Sequence, residues 1–104
     1  MGSEHIDVTA ANGRTTVALR GEFDMTATFT VEPALERLLD TPGLGAITLD
    51  LSALRFIDST GIGVLLRAHD EAERRGIDLG IVPGPSEVQR VFEVAGLDEV
   101  LPFR

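Results

Sequence analysis

The run Asp58-Ser59-Thr60-Gly61-Ile62-Gly63 sets two adjacent hydroxyls between a carboxylate and a pair of glycines. Residues of these types can serve as a nucleophile, as a phosphate-binding loop, or as caps and modification acceptors at a helix start. The nucleophile fails first on context, because the glycine two residues before serine that defines the G-x-S-x-G elbow is missing. It also lacks a base. His69 lies ten residues on, and a rise of about 1.5 Å per helical residue puts it roughly 15 Å up the axis, beyond proton-transfer reach. His5, in the opening strand, is not excluded by that distance, so a serine hydrolase stays as the remote alternative. His69 itself reads as a helix-face residue at the edge of the core rather than a ligand.

A phosphate loop fares no better. Gly61 and Gly63 supply only G-x-G, and the chain contains no lysine to complete a nucleotide motif. Each glycine nevertheless costs a helix about 1 kcal/mol relative to alanine. Close approach of a neighbouring backbone, within the fold or from a partner, is a sufficient reason for them. Asp58, Ser59 and Thr60 are all favoured N-caps, yet capping needs only one. A hydroxyl left over at a helix mouth is within reach of a kinase, and a phosphate there brings roughly −1.5 to −2 charges. The helix N-terminus tolerates that charge, so the domain is expected to stay folded. A partner packed on the same surface does not tolerate it, so association would switch.

Composition narrows the field further. A chain of 104 residues with 43% hydrophobic and 25% charged residues is expected to form one soluble domain, 1–104, with residues 1–4 disordered or vector-derived and no function assigned to Met1-Gly2-Ser3. Only 5% of residues are aromatic, so the core must be aliphatic. The absence of cysteine removes thiolate metal sites, disulfides and Cys nucleophiles, and the absence of lysine removes Schiff-base chemistry. A net charge of −8 argues against nucleic acid, which needs a basic patch. No apolar run approaches a membrane span and no signal peptide opens the chain, so a cytoplasmic protein is expected, without cofactor or metal and monomeric or weakly dimeric.

The elements that must position the site follow from periodicity. Ile6, Val8 and Ala10 alternate with polar residues, Asn12-Gly13 supplies a turn, and Val17 and Leu19 resume the alternation, predicting an antiparallel hairpin over 5–11 and 14–20. Gly21-Glu22-Phe23-Asp24 is read as leaving the sheet. Thr26 to Asp40 reads as helical, with Pro33 placing the start of the helix proper near Glu32 or requiring a separate turn before it; the first is preferred. Ile47–Leu51 is a short strand, and Phe56 and Ile57 are expected to bury themselves at its exit. A helix over about 60–75 carries Ile62, Leu65, Leu66, His69 and Ala72 on one face, with Asp70 to Arg74 and Glu71 to Arg75 as i,i+4 pairs and Gly76 as its stop. Ile77–Val82 is a strand with Gly80 opposite its apolar face. Ser86-x-x-Gln89 is a capping box for a last helix bearing Val88, Val91, Phe92 and Ala95, and Leu97, Val100, Leu101 and Phe103 should return to the core. The fold class is α/β: a mixed four-stranded sheet opening with an antiparallel hairpin, then alternating helices and strands with helices packed on the sheet.

Over nearly its whole length the chain resembles the STAS domains, most closely the free-standing anti-sigma factor antagonists of bacteria. The resemblance rests on Gly21-Glu22-Phe23-Asp24, on Leu49-Asp50-Leu51-Ser52 and on Phe56-Ile57-Asp58-Ser59-Thr60-Gly61-Ile62-Gly63-Val64-Leu65-Leu66. Pro85-Ser86-Glu87-Val88-Gln89-Arg90-Val91-Phe92 and Ala95-Gly96-Leu97 extend it. It implies a non-enzymatic protein that binds an anti-sigma factor serine kinase and so frees a sigma factor. It further implies phosphorylation at Ser59, reversed by a serine phosphatase. Thr60, where a second serine is often found, is the less favoured acceptor. Asp24, Asp58, Ser59, Thr60, Gly61, Ile62 and Gly63 become the partner surface by the same carry-over. The segment from Met25 to Glu32 looks longer than the usual path from that aspartate into the helix. Family members also work as constitutive scaffold subunits of stress-signalling or lipid-transport complexes, which is the alternative role.

Overall fold

The computed structural model describes residues 5–104; the expectation for residues 1–4 lies outside them. Four strands and three helices follow in the order β1 (Ile6–Ala11), β2 (Arg14–Phe23), α1 (Met25–Leu39), β3 (Ala46–Ile57), α2 (Ser59–Arg75), β4 (Asp78–Val82) and α3 (Ser86–Val94). The sheet runs β1-β2-β3-β4, with β1 antiparallel to β2 and the other neighbours parallel. This is the mixed four-stranded sheet expected from the sequence. Asn12 and Gly13 both take positive φ in the hairpin turn, as the Asn-Gly pair requires.

Alternation puts Val17, Leu49 and Ile81 in register on one face of three adjacent strands, all fully buried. Ala27, Val31, Leu35 and Leu39 of α1 and Val64, Leu65, Ala68 and Ala72 of α2 complete the same cluster. The core is aliphatic apart from Phe23 and Phe92. Phe103 packs edge-on against Phe92 at 5.0 Å, and the tail pairs with the outer edge of β4 through Ile81 and Phe103. Leu101 returns to the core as expected, whereas Val100 and Ala95 stay exposed.

The central strands run further than their periodicity suggests. β2 does not leave the sheet at Gly21 but pairs on to Phe23, and β3 continues from Leu51 to Ile57. Between Ala18 and Arg20, and again between Gly21 and Glu22, one extra β3 residue enters the ladder. The buried positions of β3 therefore change spacing from two to three, through Ile47, Leu49, Leu51, Leu54 and Ile57. Such bulges twist and re-aim a strand. Ile57 is buried as expected, but the same irregularity turns Phe56 outward, where it is half-exposed.

The first helix begins at Met25, not near Glu32, and keeps Pro33 in its interior. Proline there deprives the Phe29 carbonyl of its helical donor. Pro33 and Phe29 are both exposed, so water can serve that carbonyl. Asp24 supplies the start by capping, which offsets the handicap. At the far end Arg75 of α2 bridges the Leu39 carbonyl, Asp40 and Glu71, tying the two helix ends together. Arg74 takes Glu71, and not Asp70, as its partner. Gly76 stops α2 at φ 69°. The Ser86 capping box does not form: Pro85 is the N-cap without a side-chain bond, and Gln89 Oε1 instead accepts from Gly84 N–H at 2.9 Å. Gly80 makes room for the Arg104 side chain, which lies across it and pairs with Asp78.

Candidate functional site

Phe23 and Ile57 face each other as the last residues of parallel strands β2 and β3. The next residue of each strand, Asp24 and Asp58, caps the helix that follows. The two turns are near copies in backbone angle, at φ −108° and ψ −172° for Asp24 and φ −118° and ψ −174° for Asp58. Asp24 Oδ1 accepts from Ala27 N–H at 3.0 Å. Asp58 Oδ1 accepts from Thr60 N–H at 3.0 Å, Gly61 N–H at 3.1 Å and the Thr60 hydroxyl at 2.5 Å. The Thr60 hydroxyl bond is the largest cause that holds the Asp58 carboxyl below the usual carboxylate range; burial opposes it, and the Gly61 and Thr60 N–H bonds add to the lowering.

Capping thus uses Asp58 as the acceptor and Thr60 as a donor, and leaves Ser59 over. Ser59 is the first residue of α2, is exposed, and its hydroxyl has no hydrogen-bond partner among the described residues. His69 is half-buried two to three turns further up α2, within 4.0 Å of Glu73 rather than near Ser59. It sits at the edge of the core as its position on the helix suggested. His69, Asp70 and Glu73 could offer a cation one ligand atom each within 4.8 Å of one another, on the surface of α2 and away from its start.

The two glycines have different reasons. A Cβ on Gly61 would lie 2.5 Å from the Phe23 carbonyl oxygen and 3.0 Å from Ile57 Cγ1 and Phe23 Cγ. The start of α2 is pressed against the end of β2, and Asp58 N–H donates to that same carbonyl at 3.4 Å. Gly61 is therefore demanded by the fold. A Cβ on Gly63 would meet only the far end of the Arg67 side chain, at 3.3 Å. That side chain reaches across to α1 and pairs with Glu32 at 2.7 Å. Ile62, between the glycines, is buried and anchors the turn in the core. Of the seven predicted site residues, six form one continuous helix mouth and Asp24 stands beside it at the start of α1.

Sequence reasoning missed two neighbours of this mouth. Met25 and Phe29, on the first turns of α1, are 61% and 77% exposed despite their apolar side chains. The signal was present in Ala27, Val31 and Leu35 at i, i+4, i+8, which defines a buried stripe beginning before Pro33 and leaves Met25 and Phe29 off it.

Residues 5–104 match the family described as STAS domain. The anti-sigma-F factor antagonist RsfB of Mycobacterium tuberculosis is 32% identical over 99 residues, covering 92% of this chain and 79% of its own length. The anti-sigma-B factor antagonist of Listeria monocytogenes is 28% identical over 98% of this chain and 81% of its own. Among solved structures, an anti-sigma factor antagonist from Mycobacterium paratuberculosis superposes with a TM-score of 0.80 at 27% identity, covering 94% of this chain and 82% of that one.

Proposed function

This chain belongs to the STAS domain family, and on that premise we propose that it is an anti-sigma factor antagonist whose binding is switched at Ser59. It binds an anti-sigma factor serine kinase in the cytoplasm through Asp24 and the helix mouth from Asp58 to Gly63, and so releases a sigma factor. The kinase transfers phosphate to Ser59 and a serine phosphatase removes it. The protein itself catalyses nothing in this cycle.

The observation that carries this reading is the division of labour at the helix mouth. Asp58 and Thr60 close the cap between them, so Thr60 Oγ1 is committed to Asp58 while Ser59 Oγ stays open to solvent. That separation favours Ser59 over Thr60 as the acceptor. Phosphate at the first residue of α2 meets the positive end of the helix dipole, which keeps the fold intact. The same charge stands beside the Asp58 carboxylate, so a partner approaching the mouth meets desolvation cost and added negative charge. Named relatives that are antagonists of anti-sigma factors support the class of partner.

The test uses the purified anti-sigma factor kinases of the source organism. One of them should phosphorylate the protein with ATP, and mass spectrometry should place the phosphate on Ser59. The same kinase should bind Ser59→Ala and not Ser59→Asp, with both variants folded. Phosphate found only outside residues 58–60, or equal affinity for the two variants, would overturn the proposal.

A further inference from the structure

The aligned ends of β2 and β3 also fix the relation between the two helices that follow them. Phe23 pairs with Ile57, so Asp24 stands level with Asp58, and the first helical residues Met25 and Ser59 stand level in turn. Both helices follow parallel strands and pack on each other, side by side at the roughly 8–10 Å typical of packed helices. Four residues further on, one turn up each helix, Phe29 stands level with Gly63. The Glu32–Arg67 pair closes this surface at the next level, with the Arg67 guanidinium lying over the bare face of Gly63. Met25, Phe29 and Glu32 share one side of α1 by their i,i+4 and i,i+3 spacing.

From this alignment we infer that the partner surface extends from Ser59 and Gly63 onto α1, where Met25 and Phe29 are apolar anchors for the anti-sigma factor kinase that reads Ser59. The inference rests on the proposed switch and deepens it. An unbranched Met and a Phe, exposed at 61% and 77% one turn apart, are side chains that gain most by entering a pocket. The chain's net charge of −8, with Asp24 and Asp58 bordering the patch, matches an apolar pocket with a basic rim. The two halves of the surface then divide the work: Met25 and Phe29 hold the partner, and Ser59 decides whether it can be held.

The experiment measures, by isothermal titration calorimetry, binding of the kinase that phosphorylates Ser59 to five variants. These are Phe29→Ala, Met25→Ala with Phe29→Ala, Ser59→Ala, Ser59→Asp, and Val94→Ala as an exposed control on α3. Phe29→Ala should weaken binding about tenfold or more, as truncation of a central aromatic anchor does. The double variant should weaken it further, and Val94→Ala should leave it unchanged. Thermal melts should match the wild type because Met25 and Phe29 are outside the core. Binding of Phe29→Ala within about twofold of wild type, with Ser59→Asp still excluded, overturns the anchors and leaves the switch standing. Equal binding of Ser59→Ala and Ser59→Asp removes the switch and this inference with it. A homodimer in sedimentation that Phe29→Ala dissociates, with kinase binding unaffected, assigns the patch to a second copy of the chain and also overturns it.

Discussion

Gly61 and Gly63 lie two residues apart on one helix, and alanine at the two positions should move stability in opposite directions. At Gly61 the added carbon would lie 2.5 Å from the Phe23 carbonyl oxygen, a backbone atom at the end of a paired strand that cannot rotate away. Relief requires moving the start of α2 off β2, which also disturbs the Asp58 N–H bond to that carbonyl and the Asp58 bond to Gly61 N–H. Overpacking of this kind costs about 1–3 kcal/mol, against a gain in helix propensity of at most about 1 kcal/mol. Gly61→Ala should therefore be destabilised by up to about 2 kcal/mol. At Gly63 the contact at 3.3 Å is with the tip of Arg67, which can swing into solvent. Gly63→Ala should be neutral or more stable by up to about 1 kcal/mol. For a domain of this size 1 kcal/mol moves Tm by about 4–8 °C, so calorimetry or circular dichroism resolves the two signs. Gly63→Ala should at the same time weaken binding of the anti-sigma factor kinase, because the added methyl displaces the Arg67 guanidinium that covers this level of the proposed surface. A fall in Tm for Gly63→Ala equal to that of Gly61→Ala would refute the contact argument. A stabilised Gly63→Ala that binds the kinase normally would refute the role assigned to that glycine.

Other consequences follow from the caps and ion pairs. The folded Asp58 carboxyl titrates below its unfolded value, so its stabilising effect is present above about pH 4, the ordinary aspartate range, and is lost as pH falls through the lower folded value. Thermal melts from pH 7 to pH 3 should flatten in Asp58→Asn, and an unchanged acid limb would contradict the capping role. Arg75→Ala should lower Tm by freeing the ends of α1 and α2, with the deficit shrinking in high salt as the wild-type pairs are screened. A deficit independent of salt would mean that packing of the Arg75 stem, and not its charge, is what counts. Pro33→Ala should raise Tm, since the Phe29 carbonyl regains a donor at a site where interior proline costs up to about 3 kcal/mol. A lower Tm would show that proline's restriction of the unfolded chain dominates.

Most of the fold was legible because it is written in local patterns: the Asn12-Gly13 turn, the alternation of β1 and β2, the apolar stripe of α2 and its Gly76 stop. The failures share a cause. Gly21 and Pro33 read locally as breakers, but Gly21 sits inside β2 at positive φ opposite a bulge of β3, and Pro33 sits on a solvent face where water can serve the carbonyl it leaves without a donor. The extension of β3 was hidden because its buried positions change from every second to every third residue after Leu51. Ser86 and Gln89 have capping-box spacing, yet Pro85 takes the cap and Gln89 answers a different N–H.

The helix mouth from Asp58 to Gly63 could be read as a site from residue types alone, since it holds more capping groups than a cap can use. Its continuation onto α1 could not. Asp24 and Asp58 are equivalent only because Phe23 pairs with Ile57, a contact between residues more than thirty positions apart that rests on two bulges in β3. That register fixes which residue of α1 stands beside Ser59 and which beside Gly63. One residue of slip would carry Met25 and Phe29 about 100° around their helix relative to α2, out of the shared face. The bulges in β3 are therefore part of the specification of the proposed site: they bring two helices to a common starting line, so that an open hydroxyl on one and two exposed apolar side chains on the other are available to the one partner we propose.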